Sequence, residues 1–296
     1  MVRHLLALEG MPRPQLEGFF ARAAEFEEGG PHRAPLQGKL VANLFFEPST
    51  RTRSSFEAAA KELGAEVLNW TVAGSSASKG ETLLDTVRNI AALGPFAIVI
   101  RHQASGAAQL AAAHVPCSVI NAGDGRHEHP SQGLLDSYTL WRRWKSFQGR
   151  RVLIVGDVLH SRVARSNLHA LTALGASVRL CGPRSLVSEG WAALGAEVDV
   201  DFDRARARAD AVMLLRVQKE RMADAFFASE REYHERWGLT NERAARLKAD
   251  AVVMHPGPVN RGVEIAPEVA DGPRSLILEQ VKNGVYVRMA ILESVR

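Results

Sequence analysis

The chain has 296 residues, 46% of them hydrophobic, which is enough for two compact cores. Its 37 basic residues are interspersed with 33 acids, so the net charge of +4 forms no nucleic-acid-binding stripe and fits an anionic small molecule better. Cys117 and Cys181 are the only cysteines, which excludes a disulfide framework and a thiolate zinc site; Met1 to Leu8 is too short and polar for a signal core, and no apolar stretch reaches bilayer length. The expected setting is the reduced cytoplasm.

In chain order, Leu16, Phe19, Phe20, Ala23 and Phe26 recur at helical spacing over Gln15 to Glu28, and Gly29-Gly30-Pro31 stops that helix. Leu40 to Phe46 reads as a strand that turns at Pro48 into a helix carrying Phe56, Ala60 and Leu63 on one side and ending at Gly64. Ser49, Thr50, Arg51 and Thr52 fall on its first turn, where backbone N–H groups lack intrahelical partners and the dipole is positive. Hydroxyls, amides and a guanidinium together suit a phosphate dianion, two of whose oxygens one Arg can grip. Five consecutive donor side chains, Ser49 to Arg53, separate this segment from an ordinary capped surface helix.

A strand over Val67 to Trp70 is followed by Thr71 to Gly80, a loop of Gly, Ser and Ala whose only cation is Lys79. A Lys at the positive end of the next helix, Glu81 to Leu93, makes a bound anion the better reading. The strand Phe96 to Ile100 delivers Arg101 and His102 at its carboxyl end, where open α/β sheets bind ligands. A short Ala-rich helix near Ala107 to Ala113 and a strand over Cys117 to Asn121 lead to His127-Glu128-His129-Pro130-Ser131-Gln132. The two histidines invite a metal, but the further ligands a zinc site needs are missing. Pro130 reads instead as an early helical residue, with His129 and Gln132 facing a ligand at a helix start. That helix, rich in Leu, Tyr and Trp, continues from Gly133 to about Phe147, and Gln148-Gly149 ends it and the first domain.

The second half repeats the alternation. Arg151 to Val155 reads as a strand, followed by Gly156-Asp157, a loop through Ser161-Arg162 and a helix to Leu174. The G-x-G-x-x-G spacing is absent, which argues against a dinucleotide. Further strands are expected at Val178 to Cys181, Glu197 to Val200, Ala211 to Leu215 and Ala251 to Met254, making a second doubly wound sheet. Arg216-Val217-Gln218 follows one of them; Lys219, Glu220 and most of Arg221 to Trp237 read as a charged, solvated loop. His255-Pro256-Gly257-Pro258 is a rigid turn able to present a carbonyl. Ser275 to Val295 reads as a helix with Ile277, Val281, Val285, Met289 and Leu292 on one face.

Ser49-Thr50-Arg51-Thr52-Arg53 after Phe-Glu-Pro resembles the carbamoyl phosphate signature of the aspartate and ornithine transcarbamoylases. The likeness extends along nearly the whole chain, with His129-Pro130-Ser131-Gln132 matching the family's His-Pro-x-Gln and His255-Pro256-Gly257-Pro258 its His-Pro-x-Pro turn. Gly257 stands where some members carry Leu, so only a backbone contact is expected there. The resemblance implies an α/β fold of two doubly wound parallel-sheet domains joined by long helices. Residues 1–147 would bind carbamoyl phosphate, with the helix 275–296 packed back on them, and residues 148–274 would bind aspartate.

The resemblance also implies the roles. Ser49, Thr50, Arg51, Thr52, Arg101, His129 and Gln132 would bind carbamoyl phosphate, joined by Ser75 and Lys79 from a loop that the aspartate enzymes lend to a neighbouring subunit. Of these, Arg51, Thr52, Lys79, Arg101 and His129 would be catalytic. An amino-dicarboxylate needs two guanidiniums and a neutral amide; Arg162, Arg216 and Gln218 match the family's aspartate-binding residues, joined by Gly257 and Pro258. The implied reaction carbamoylates L-aspartate in pyrimidine synthesis, without metal or cofactor, in a homotrimer with shared sites. Association with a regulatory chain or a dihydroorotase stays open; nucleic acid and membrane are not expected partners. The alternatives are another amino-acid transcarbamoylase and a non-catalytic scaffold subunit of the same fold.

Overall fold

The computed structural model describes residues 4–29, 34–71, 80–217 and 229–296. The chain divides into two units, one made of Met1–Tyr138 with Lys282–Arg296 and the other of Thr139–Val281. In the first, β1 (Leu40–Phe45), β2 (Glu66–Thr71), β3 (Ala97–His102) and β4 (Ser118–Asp124) form a wholly parallel sheet in the order β2-β1-β3-β4. Helices α1 (Arg13–Glu27), α2 (Thr50–Glu62), α3 (Leu83–Ala91), α4 (Ala107–Ala112) and the start of α5 (Pro130–Trp144) accompany it. A parallel strand covered by helices on both faces has no solvent side, which is why Val41, Ala42, Leu44 and Phe45 are all buried in succession. The core joins Ala42, Leu44, Ile98, Ile100 and Val119 to Val87 and Ile90 of α3 and to Ala108 and Ala111 of α4.

The second unit holds β5 (Arg151–Val155), β6 (Ser177–Cys181), β7 (Glu197–Asp199), β8 (Ala211–Leu214) and β9 (Val252–Met254), again wholly parallel, in the order β7-β6-β5-β8-β9. Its helices are α6 (Arg162–Leu174), α7 (Phe202–Arg206), α8 (Glu230–Trp237), α9 (Asn241–Ala245) and α10 (Pro267–Ala270), with a 3₁₀ turn at Glu189–Leu194. The division between the units falls inside α5 and inside α11 (Ile277–Ser294), so both helices belong to both units. The expected fold class, two parallel-sheet α/β units with long helices running through both, is the observed one.

The chain's two ends are stitched to β4. Leu5 donates to Val119 and accepts from Asn121, and the Ser118 hydroxyl donates to the Val295 carbonyl at 2.9 Å. Arg22 of α1 binds Glu293 of α11 at 2.8 Å.

Two expectations need correction. The charged stretch before Trp237 is not wholly a solvated loop: Glu230–Trp237 is α8, capped by the Ser229 hydroxyl, which accepts the N–H of Glu232, with Glu230 and Glu232 in the first turn and His234 and Arg236 in the last. One residue anchors it, Tyr233, wholly buried against Val217 and Val263. A single anchor per helix leaves no periodic signal. On α11 the predicted face holds at Met289 and Leu292, which are buried, but fails at Val281, which is 51% exposed, while Gln280, Asn283 and Arg288 are buried. Smaller shifts matter for the site. Arg101 and His102 lie within β3 rather than beyond it, and Arg162 is the first residue of α6 rather than a loop residue, whereas α5 starts at Pro130 as expected.

Candidate active site

Strand order fixes where ligands can sit. In the first sheet the chain winds one way from β1 to β2 and the other way to β3 and β4, so the switch falls between β1 and β3; in the second sheet it falls between β5 and β8. Open α/β sheets bind ligands beyond the strand carboxyl ends at such switches. The sequence-predicted residues follow these strands: Ser49 to Thr52 after β1, Arg101 at the end of β3, Arg162 after β5, and Arg216 after β8.

At the first switch, Phe45 pairs in register with Arg101, and the Phe46 N–H donates to the Arg101 carbonyl at 2.8 Å. Glu47 forms an ion pair with Nε of Arg101 at 3.3 Å, which links the segment after β1 to the end of β3. Ser49 occupies the N-cap of α2, yet its side chain makes no capping hydrogen bond. The first helical bond runs from Arg53 N–H to the Ser49 carbonyl at 3.2 Å, so the amides before Arg53 lie ahead of the helical ladder. Thr52 is buried while Thr50 and Arg51 are exposed. His102 accepts the Ala104 N–H on Nδ1 at 2.9 Å and meets the Phe46 ring edge-on at 4.9 Å; burial holds its pKa below the ordinary imidazole value.

The start of α5 is set by two buried carboxylates. Asp124 accepts from Asn121 Nδ2 at 2.8 Å, from the Gly106 N–H at 2.7 Å and from the Glu128 N–H at 3.1 Å, and contacts His127 Nδ1 at 3.1 Å. Glu128 accepts the N–H groups of Leu8 and Glu9, each at 2.9 Å. These bonds give the acids and His127 of the histidine-bearing loop structural duties; among the described residues no group of three or more His, Cys, Asp or Glu is gathered for a metal. His129, 3% exposed, immediately precedes the helix, with the Ser131 hydroxyl 3.4 Å from its Nδ1. One turn in, Gln132 donates Nε2–H to Asp136 Oδ1 at 2.9 Å.

At the second switch, Ser161 caps α6 by accepting the Ala164 N–H, and the next side chain, Arg162, is buried. Behind it Asp157 Oδ1 meets His160 Nδ1 at 2.8 Å, both residues almost wholly buried. Arg216 is partly buried beyond β8. Gly156 is required by close approach: a Cβ there would lie 2.9 Å from the Tyr233 hydroxyl and 3.1 Å from the Leu215 carbonyl, at a φ of +129°. This, rather than a nucleotide phosphate, explains the glycine after β5. Burial, with Glu264 and Asp157 nearby, raises the Tyr233 phenol well above its ordinary pKa.

The turn after β9 is held from below. His255 accepts the Gly257 N–H on Nδ1 at 2.8 Å, which leaves Nε2 to donate to Glu264 Oε1 at 3.1 Å; the same oxygen accepts the Asn260 N–H at 2.5 Å. His255 and Glu264 are fully buried. Gly257 has a φ of +68°, a left-handed conformation that accounts for glycine here, and Pro258 beside it is exposed.

Ser75, Lys79 and Gln218 lie outside the described residues. Sequence reasoning missed Glu47, Asp136, Asp157 and Glu264, acids that hold other site residues. Their one available signal is spacing, such as the Asp four residues after Gln132 on the same helical face. Among the described residues no helix is long and apolar enough to cross a membrane.

Residues 3–142 match the family profile described as aspartate/ornithine carbamoyltransferase, carbamoyl-P binding domain, and residues 148–295 match its Asp/Orn binding domain. The aspartate carbamoyltransferase catalytic subunit of Myxococcus xanthus is 65% identical over 293 residues, covering 99% of each chain. Aspartate transcarbamoylase from Trypanosoma cruzi, solved with carbamoyl phosphate and aspartate, superposes with a TM-score of 0.87 at 29% identity, over 99% of this chain and 96% of the other. Ornithine carbamoyltransferase from Pyrococcus furiosus gives 0.85 at 29% identity, over 98% and 96%. The fold by itself does not separate these two activities.

Proposed function

The chain belongs to the aspartate/ornithine carbamoyltransferase family, and on that premise we propose how its residues divide the work of an aspartate carbamoyltransferase. The reaction moves the carbamoyl group of carbamoyl phosphate to the amino group of L-aspartate, giving N-carbamoyl-L-aspartate and phosphate for pyrimidine biosynthesis. The amine lone pair forms the new C–N bond, the C–O bond to phosphate breaks, and the departing phosphate takes the electron pair and the amine proton.

In this reading the first unit holds carbamoyl phosphate. Ser49, Thr50, Arg51 and Arg101, with Ser75 and Lys79, bind the phosphate oxygens, while Thr52, Arg101 and His129 polarise the carbonyl. Gln132 accepts from the carbamoyl NH₂. The second unit holds aspartate: Arg162 and Arg216 pair its carboxylates, Gln218 completes the shell, and the backbone at Gly257 and Pro258 faces the amine. No covalent intermediate is needed, because the chemistry calls for donors aimed at developing charge rather than an activated nucleophile. The observation that carries the reading is the placement of two donor sets of different chemistry at the two topological switches. The expected assay outcome is carbamoylation of aspartate and not of ornithine. Arg101→Ala should lower kcat by roughly 10²–10³-fold; turnover within a few-fold of wild type would remove Arg101 from the site.

Ser75 and Lys79 act in trans within a cyclic homotrimer, a reading supported by the loop's polar, Gly-bearing sequence and its lysine beside a helix start. Nearly inactive Arg51→Ala and Lys79→Ala proteins, dissociated, mixed equally and reassembled, should recover about a quarter of wild-type activity. A mixture as inactive as its parents would place both residues in one chain. The enzyme works in the cytoplasm, in keeping with two free thiols, one of them buried.

A further inference from the structure

The Gln132 side chain has two ends that differ chemically, one donor and one acceptor, and only its surroundings decide which one a ligand meets. Its Nε2–H is held by Asp136 Oδ1 at 2.9 Å, one turn along α5, and Asp136 is fully buried. In that bond the amide nitrogen donates and the carboxylate oxygen accepts, which sets one orientation of the amide. The remaining end of Gln132 is the carbonyl Oε1, an acceptor.

Asp136 also lies within electrostatic reach of a buried cation. Arg288 of α11, 4% exposed, is its nearby counter-charge; burial pushes the guanidinium pKa down to about 10, and Asp136 opposes that shift. Arg288 donates to the Ser55 hydroxyl at 2.9 Å and to the Gly284 carbonyl at 3.1 Å, and it lies 5.1 Å over the Phe56 ring. A Cβ on Gly284 would meet Arg288 Nη1 at 2.5 Å, so the glycine makes room for the guanidinium. Ser55 and Phe56 belong to α2, the helix whose first turn carries Ser49 to Thr52. The helix that presents the phosphate donors is thereby tied to a buried guanidinium whose desolvation the Asp136 charge partly offsets.

We infer that Asp136 is a specificity-determining positioning residue: by holding the Gln132 amide with its carbonyl free, it makes the site select acyl phosphates that bear an NH₂ beside the carbonyl and reject those that bear a methyl group. The inference rests on Gln132 meeting the carbamoyl nitrogen. An amide turned the other way would set donor against donor, which disfavours the carbamoyl group more than an absent side chain does. Asn at 136 has the same shape but allows both orientations.

Acetyl phosphate is the probe, since it exchanges only NH₂ for CH₃. Calorimetry with carbamoyl phosphate, acetyl phosphate and inorganic phosphate on the full-length protein should show wild type preferring carbamoyl over acetyl phosphate by about tenfold. Asp136→Asn should erase most of that preference by weakening carbamoyl phosphate alone, with acetyl phosphate and inorganic phosphate unchanged. Asp136→Ser, whose hydroxyl both donates and accepts and so also lets the amide turn, should behave alike and serves if the Asn variant does not fold. An Asp136→Asn protein that keeps the preference, or loses all three ligands equally, overturns the inference. Gln132→Ala separates the underlying assignment: if it keeps the preference, Gln132 does not meet the nitrogen and the inference falls with that reading.

Discussion

The two units share a plan and differ in how they hold their donors. In both, a parallel sheet reverses its winding between two central strands, and the predicted ligand residues follow those strands. In the first unit the supporting acids bind backbone amides: Asp124 takes those of Gly106 and Glu128, and Glu128 takes those of Leu8 and Glu9. In the second they meet histidines: Asp157 holds His160, and Glu264 holds His255. The two sheets thus offer ligands the same topological place, and the side chains that follow the switch strands differ in chemistry. Hydroxyls and amides at a helix start suit a phosphate; two separated guanidiniums suit a dicarboxylate.

Breaking a buried acid in the second unit should have the largest effect on the comparison. Glu264→Ala removes the acceptor of two donors, His255 Nε2–H and the Asn260 N–H, and with both left unsatisfied should cost roughly 3 to 5 kcal/mol in denaturant unfolding. A loss below about 1 kcal/mol, the level of an exposed pair, would show that the turn after β9 is held by other means. Next in size, Arg216→Ala should weaken aspartate binding by roughly 2 to 3 kcal/mol, the lower part of the range for a charged partner because Arg216 is only partly buried. Carbamoyl phosphate affinity, measured calorimetrically on the same protein, should stay at the wild-type value. Equal loss of both ligands would erase the division of labour between the units.

The smallest expected effect sharpens the first unit. His102 has a folded-state pKa lowered from 6.5, chiefly by burial, so the folded protein binds this proton less readily than the unfolded chain does. Its contribution is fully present above the unfolded value and is lost as pH falls through the folded one. The denaturation midpoint should therefore decline below about pH 6.5, and His102→Gln should flatten that part of the profile. A profile identical in wild type and variant would show that His102 titrates no differently on folding.

Much of this architecture is legible in the residues because parallel strands buried on both faces write themselves as apolar runs, and because five donors in a row at a strand-to-helix turn are hard to assign elsewhere. What escapes is whatever depends on a single buried group. Tyr233 anchors α8 among charges, and Gln280, Asn283 and Arg288 turn the buried face of α11 polar, so hydrophobicity points to Val281 instead. Asp136 has only its spacing from Gln132, one turn away on the same helix, to mark it, and Glu264 has no mark until the fold brings His255 beside it.

The stitching of both chain ends to β4 has a consequence for biosynthesis. The second unit is one uninterrupted stretch, Thr139–Val281, whereas the first is made of two pieces separated by it. Chains emerge from the ribosome amino end first, and domains generally fold as units. The unit that begins the chain is therefore the later one to be completed. Its sheet is translated early, but Ser118 awaits the Val295 carbonyl, Arg22 awaits Glu293, and Ser55 awaits Arg288 until the whole second unit has been made. A nascent chain stalled just short of Arg288 would hold every strand of both sheets and still lack the guanidinium that binds Ser55 of α2.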